Sequence, residues 1–361
     1  MESAPEKPEI RGGWREFAPY LKELARGPES LADLDPERCR EAMEMILAEV
    51  ASPAQAASFL MVGRAKGNSA SELAATSRAM RSFIREIPTE GPAVSITGGF
   101  DGKLRTVNVG AAASLVAAAA GARVLLLGSE NVPPKEGHTS LTALRTLGAN
   151  SPQTLEQARD SLSHHGFAAT SLAHYLPELD ALLQLRREMA RRTALNVSEK
   201  LVSPAAGSAM MVGMTHRKPF LQTMPRALVE LGVRRALVFQ AIEGSDEAPL
   251  DGASALVTIR DGEIRETTVR PGTLGLSKVS RSELPAPDSG GARPAREVLE
   301  GARGPLRDLI LYNAALRIWT AEGDALDAPM EDLLGGPLRR ARLALDEGRA
   351  LSLLQRMRPA L

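Results

Sequence analysis

The sequence predicts an α/β protein: a small all-helical N-terminal domain, then a larger α/β domain with a mostly parallel central sheet and a helical C-terminus. Three observations carry this. Between residues 35 and 87 apolar residues recur at three- and four-residue steps with no strand signal, from Val94 short apolar runs alternate with helical stretches, and the chain ends in helical periodicity. At 361 residues, 43% of them hydrophobic, the chain can bury a large core over two domains. The expected divisions are a loosely held arm over 1–28, a helical domain over 29–92 with a mid-chain helical contribution near 170–190, and an α/β domain over 93–361.

Each element has a local cause. Asp35 before Pro36 supplies an N-cap and a first helical residue, and Met43, Ile46, Leu47 and Val50 follow on one face. Ser52-Pro53 restarts a helix that Lys66-Gly67-Asn68 stops, and Ser69 or Ser71 with Glu72 starts a third, running to about Ile87. From Val94 come a short apolar run, a glycine turn, an alanine-rich helix and the apolar run Val124-Leu125-Leu126-Leu127-Gly128, which suits a strand covered on both faces. A polar loop over 129–137 leads to a helix from His138 to Leu147. Residues 153–193 read as mostly helical with a break near Pro177. Two more strands, 209–214 and 235–240, flank a helix from Pro219 to Leu231, and Asp261-Gly262 marks a two-residue hairpin. The segment 277–294 reads as a linker, and the remainder as helical.

Composition excludes several functions. Lys+Arg and Asp+Glu are both 44, so nothing global points to nucleic acid or to an anionic membrane. A single cysteine, Cys39, rules out an intramolecular disulfide framework and a cysteine-based zinc cluster. The charged start lacks a signal-peptide apolar region, and a cytoplasmic location is the expectation. The longest near-apolar run, 109–122, is short of the about 20 residues that span a bilayer. No Gly-x-Ser-x-Gly elbow and no histidine pair at metal-ligand spacing occurs.

Candidate chemistry concentrates in Thr97-Gly98-Gly99-Phe100-Asp101-Gly102 and on to Asn108. Gly98, Gly99 and Gly102 permit positive φ and close backbone approach, and the amides opening the alanine-rich helix favour a phosphate. An ordinary βα turn would use the same residues, because the spacing matches neither the P-loop nor the dinucleotide fingerprint. Asp246 and Glu247, directly after an apolar strand, are the oxygen donors that Mg²⁺ takes beside a phosphate ester, although an exposed acidic turn is the plainer account. Lys135, in a proline-flanked loop, is a candidate for a pyrophosphate. The C-terminal arginines, Arg339, Arg340 and Arg342 among them, read as a solvated helix face.

The order of three N-terminal helices, the Thr-Gly-Gly…Asp-Gly…Thr-x-Asn loop, the Arg186-Arg187-Glu188…Arg192-Thr193-x-x-Asn196 segment, Asp246-Glu247, Tyr312-Asn313-Ala314-Ala315-Leu316 and Glu347-Gly348-Arg349-Ala350 together resemble anthranilate phosphoribosyltransferase over about residues 25–357. The resemblance implies a homodimer, phosphoribosyl pyrophosphate on Gly98, Gly99, Asp101, Gly102, Thr106 and Asn108, Mg²⁺ on Asp246 and Glu247, and an acceptor carboxylate on Arg186. Departures stand beside the matches. Phe100 is inserted into Gly-Gly-Asp-Gly, the Ser-Thr after the Asn is Gly110-Ala111, Lys-His-Gly-Asn is Leu126-Leu127-Gly128-Ser129, and Gly-Pro-Leu is Glu199-Lys200-Leu201. These departures resemble a divergent branch of the family with DNA-binding members.

Two readings follow. One is a phosphoribosyltransferase-like protein that binds phosphoribosyl pyrophosphate with Mg²⁺ and takes an unidentified acceptor other than anthranilate. The other is a non-catalytic DNA-binding relative, with Arg339, Arg340, Arg342, Arg186, Arg187, Arg191 and Arg192 on the phosphate backbone. Neither involves a membrane.

Overall fold

Four helices open the structure, a computed structural model that describes residues 12–25, 27, 31–214, 220–287, 292–322 and 328–358. They are α1 Trp14–Leu24, α2 Pro36–Leu47, α3 Pro53–Lys66 and α4 Ala70–Arg81. The expected caps are in place: Asp35 accepts from the Glu37 and Arg38 amides, and Ser52 and Ser69 form capping boxes with Gln55 and Glu72. Helix α4 stops short of Ile87, because the backbone there turns to pair with other segments: the Arg85 amide donates to the Tyr175 carbonyl and the Ile87 amide to that of Pro204.

One boundary is corrected. The arm expected over 1–28 contains a docked helix, α1, whose Phe17 and Leu24 are fully buried and whose Phe17 ring meets Phe59 edge-on at 5.7 Å. The three- and four-residue spacing of Phe17, Leu21 and Leu24 builds an apolar stripe that outweighs the prolines and glycines around it. Residues 1–11, 26 and 28–30 lie outside the described residues.

The sheet has seven strands: β1 Val94–Ile96, β2 Val124–Gly128, β3 Phe167–Ser171, β4 Ala209–Met214, β5 Arg235–Gln240, β6 Ser254–Arg260 and β7 Glu263–Val269, in the order β3-β2-β1-β4-β5-β6-β7. The first five are parallel, and β6 and β7 add as an antiparallel hairpin through Asp261 and Gly262, both at positive φ. The helices between and after them are α5 Gly110–Ala119, α6 Ser140–Leu147, α7 Leu155–His165, α8 Leu172–Tyr175, α9 Pro177–Ala181, α10 Leu183–Met189, α11 Ala194–Ser198, α12 Phe220–Glu230, α13 Arg293–Leu299, α14 Pro305–Glu322, α15 Met330–Asp346 and α16 Arg349–Arg356.

Strand β3 falls where the sequence reads as helical. Its Phe-Ala-Ala-Thr-Ser has weak strand preference, and in-register pairing with β2 decides its conformation. Alternate residues of β2 serve two cores. Val124 and Leu126 join α5 and α14 in one, while Leu125 and Leu127 join Phe17, Met43, Phe59, Tyr175 and Leu179 in the other. The segment 172–182 thus packs with the N-terminal helices.

The sheet order runs outward from β1 to β2 and β3 on one side and from β4 to β5 on the other. The carboxyl ends of β1 and β4 therefore lie side by side at the point where the winding reverses, and the loops leaving β1 and β5 meet in the crevice there. No helix among the described residues is long and apolar enough to cross a membrane. Replacing Phe17 by alanine should destabilise the protein by about 3 kcal/mol, read by urea denaturation; unchanged stability would contradict a docked α1.

Candidate ligand-binding cleft

Strand β1 carries the chain into the crevice, where it turns sharply at two glycines. Gly99 has φ +73° and a Cβ there would lie 2.7 Å from the Asn196 carbonyl oxygen; Gly102 has φ +89° and a Cβ there would lie 2.1 Å from the Gly137 carbonyl carbon. Reciprocal backbone bonds of 3.0 Å between Lys103 and His138 then tie the loop to the segment that carries Lys135.

Six of the amides along this loop, those of Gly99, Leu104, Arg105, Thr106, Val109 and Gly110, are held by the chain's own glutamates. Glu199 accepts from the Gly99 amide at 2.8 Å. Glu243 accepts from the amides of Leu104, Arg105 and Thr106 at 3.0–3.3 Å and from the Thr106 hydroxyl at 2.8 Å. Glu247 accepts from the Val109 and Gly110 amides, at the start of α5, at 2.8 and 3.0 Å. Burial works to raise the Glu243 pKa, but the Leu104 amide, the Thr106 hydroxyl and the nearby Lys103 and Lys135 outweigh it and hold the carboxyl below its usual range. The Glu247 pKa is raised, because complete burial outweighs Lys103 beside it. Asn108 accepts from the Gly110 amide at 3.0 Å and donates to Ser140 at 3.3 Å, which fixes the turn into α5.

Asp246 and Glu247 sit together, and cations of the protein already meet them. Asp246 accepts from Ser140 at 2.7 Å through one oxygen and from Arg317 at 2.5 Å through the other. Glu247 uses its second oxygen on the buried ammonium of Lys103. All four carboxylate oxygens thus have donors, and an added Mg²⁺ would face Lys103 and Arg317 at close range. As arranged, this donor set does not fit the ion. Among the described residues no group of three or more His, Cys, Asp or Glu is placed to hold a metal.

Arg186 is 1% exposed and pairs with the fully buried Glu199 at 3.1 Å. Its Nε and Nη2 have no partner among the described residues. Around it lie the buried Tyr175, whose pKa burial raises, and Asp180, raised first by burial and then by Glu199.

The 98–102 loop divides two spaces. On the side of Gly128, Ser129, Ser140 and Asp246 only about 10 Å³ is open. On the other side a cavity of about 500 Å³ lies between the loop, α3, α4, α11 and α12. Asp101, at the wall, pairs with Arg192 at 2.7 Å and with Lys135 at 3.3 Å. Lys135 also lies 5.4 Å from the Phe100 ring centre, and burial lowers its pKa despite Asp101. The structure thus brings Gly98, Gly99, Asp101, Gly102, Thr106, Asn108, Lys135, Arg186, Asp246 and Glu247 into one crevice. The sequence does not assign these roles to the residues that engage them, Lys103, Glu199, Glu243, Arg192 and Arg317. Glu243 stands out as part of the acidic run 243–247, Lys103 as part of the glycine turn, Arg192 among the arginines considered for nucleic acid and Glu199 as a departure from the family pattern, while Arg317 carries no signal.

The arginines considered for nucleic acid are partly spent. Arg186 is inside the protein, Arg187 pairs with Glu136, Arg192 with Asp101, and Arg340 takes both oxygens of Glu322.

Substituting Glu243 by glutamine should cost about 1–3 kcal/mol at pH 7, since three amides lose a charged acceptor. A carboxyl whose folded pKa is lowered stabilises above its unfolded pKa of about 4.3, and that contribution disappears as pH falls through the folded value. The difference between wild type and variant in denaturation should therefore narrow in acid. A constant difference from pH 7 to pH 3 would contradict the assignment.

Comparison with known proteins gives the family and the fold. Residues 93–351 match the family model described as glycosyl transferase family, a/b domain, and residues 18–84 the one described as glycosyl transferase family, helical bundle domain. The chain is 31% identical over 326 residues to an anthranilate phosphoribosyltransferase of Arthrobacter sp. (strain FB24), covering 90% of this chain and 91% of the relative. It is 33% identical to that of Novosphingobium aromaticivorans, with 91% and 96% covered. The crystal structure of anthranilate phosphoribosyltransferase from Thermus thermophilus superposes with a TM-score of 0.77 at 29% identity, covering 90% and 95% of the two chains. The Saccharomyces cerevisiae enzyme in complex with PRPP and Mg shares the fold, with a TM-score of 0.77 at 19% identity over 95% and 97%. The chain therefore belongs to the anthranilate phosphoribosyltransferase family of glycosyl transferases.

Proposed function

We propose that this phosphoribosyltransferase-family protein binds a phosphorylated ligand, phosphoribosyl pyrophosphate being the donor its relatives imply, and that anthranilate is not its acceptor. The observation that carries the proposal is the Arg186–Glu199 pair. Arg186 matches the position that the family gives to the anthranilate carboxylate, and here a carboxylate of the chain is already on it, with both side chains buried. Displacing Glu199 would leave a buried charge without its partner, a cost of several kcal/mol. Leu126, Leu127 and Ser129, where the family pattern has Lys, His and Asn, offer fewer polar groups to an aromatic amine and to phosphate.

A magnesium role for Asp246 and Glu247 would require both to release Arg317 and Lys103, and no step is assigned to the ion. Phosphate recognition falls instead to Arg64 and Lys200, which line the open cavity beside the Arg192–Asp101 pair. The homodimer is carried over from the family resemblance. The DNA reading stands second, because four of its seven arginines are already engaged.

The decisive test is turnover. Purified protein with anthranilate, phosphoribosyl pyrophosphate and MgCl₂ should give no product formation above the uncatalysed rate, and the gene should fail to complement a strain lacking anthranilate phosphoribosyltransferase. Turnover within about tenfold of a relative assayed in parallel would overturn the proposal. A gel shift at low salt that weakens uniformly with added salt would move the DNA reading ahead.

A further inference from the structure

Among the described residues, every other lysine withdrawn from solvent sits on a carboxylate. Lys66 pairs with Asp33 and Glu72 at 2.5 Å, Lys103 with Glu247, and Lys135 with Asp101 at 3.3 Å. Lys200 differs. Its nitrogen donates to the backbone carbonyls of Gly213 at 2.7 Å and Gly244 at 2.9 Å, and no carboxylate among the described residues is bonded to it.

Those two carbonyls are fixed. Gly213 lies near the carboxyl end of β4, and Gly244 sits in the turn after β5 at φ +81°. A Cβ on Gly213 would lie 1.8 Å from the Ser245 carbonyl oxygen, so strand and turn pass at backbone contact. An ammonium carries three hydrogens, whereas a neutral amine carries two and a lone pair. Two carbonyls therefore satisfy the amine completely, with its lone pair in the remaining tetrahedral direction, and leave the ammonium one hydrogen over. The Phe100 ring centre, 5.8 Å away, stands at the outer edge of cation–π range. Burial lowers the pKa to about 8 against the pull of Asp101, Asp246 and Glu199, and Arg192 acts in the same direction as burial.

A small molecule has room beside this nitrogen. Lys200, Phe100 and Gly244 line the cavity of about 500 Å³, together with the apolar Met214, Phe220 and Met224. We propose that Lys200 is a nucleophilic amine that captures a small uncharged aldehyde from this cavity as an imine. The lone pair attacks the carbonyl carbon and a C–N bond forms. Both amine hydrogens pass to the carbonyl oxygen, which leaves as water, and a C=N bond remains, with nothing oxidised or reduced. Once protonated, the imine has one N–H again for a backbone carbonyl. The proposal goes beyond the phosphate reading, in which Lys200 acts as a cation, and concerns the same nitrogen without its proton.

Trapping tests it. The full chain is incubated with benzaldehyde over a range of pH and quenched with sodium borohydride, which reduces an imine to a stable secondary amine, and the label is mapped by peptide mass spectrometry. At pH 7.5 Lys200 should carry at least about tenfold more label than the exposed Lys22, because a nitrogen of pKa about 8 is unprotonated in a far larger fraction than an ordinary lysine amine of about 10.4. Label at Lys200 should be half-maximal near pH 8 and level off above about pH 9. Lys200→Arg should remove this label and leave that at Lys22 unchanged, and the wild-type map decides alone if the variant does not fold. No label at Lys200, no more than at Lys22, or label still climbing above about pH 9.5 would overturn the proposal. Benzaldehyde carries no phosphate, so its failure leaves the phosphate reading standing, and failure of phosphoribosyl pyrophosphate to bind leaves a trapped imine standing.

Discussion

Three glutamates, Glu199, Glu243 and Glu247, hold the loop between β1 and α5 by accepting its backbone amides, and the shape of the cleft depends on them. A glycine-rich turn into a helix exposes amides that must find acceptors. In a phosphate-binding site the ligand supplies them. Here the acceptors are part of the chain, and they are present without the loss of translational freedom that a free anion incurs on binding. An anion that used the amides of Gly99, Leu104 to Thr106 or Val109 and Gly110 would have to displace a carboxylate.

The charges follow from that arrangement. Each buried glutamate needs a cation or a full set of donors, so Lys103 and Arg186, which could have met a substrate, are turned inward to Glu247 and Glu199, and Arg317 holds Asp246. On the other side of the loop Arg64, Arg192 and Lys200 line the open cavity, Arg192 in its pair with Asp101 and Lys200 on the carbonyls of Gly213 and Gly244. The fold brings the parts together because the crevice lies where the sheet changes its direction of winding, and β1 and β5 deliver the glycine loop and the acidic cluster to it.

Much of the fold was legible because its signals are local. The caps at Asp35, Ser52 and Ser69, the continuous apolar run of β2 and the Asp261-Gly262 turn each act over a few residues. Strand β3 and helix α1 were missed for a different reason: their conformation is set by partners distant in sequence, β2 for one and Phe59 for the other. The cleft shows the same division. The glycine loop, Lys135, Arg186 and Asp246-Glu247 could be picked out by type and neighbourhood. Which of them are already engaged could not, since Lys103 finds Glu247 and Arg317 finds Asp246 only across the folded core.

The central claim is that the acidic pair is neutralised by the protein's own cations. Calorimetric titration of the wild-type protein with pyrophosphate, in MgCl₂ and in EDTA at matched free pyrophosphate, tests it most directly. The arrangement of Lys103, Arg317, Asp246 and Glu247 predicts the same affinity in both. Binding that requires Mg²⁺, and that is lost when Asp246 and Glu247 are both replaced by alanine in a protein that still folds, would contradict it.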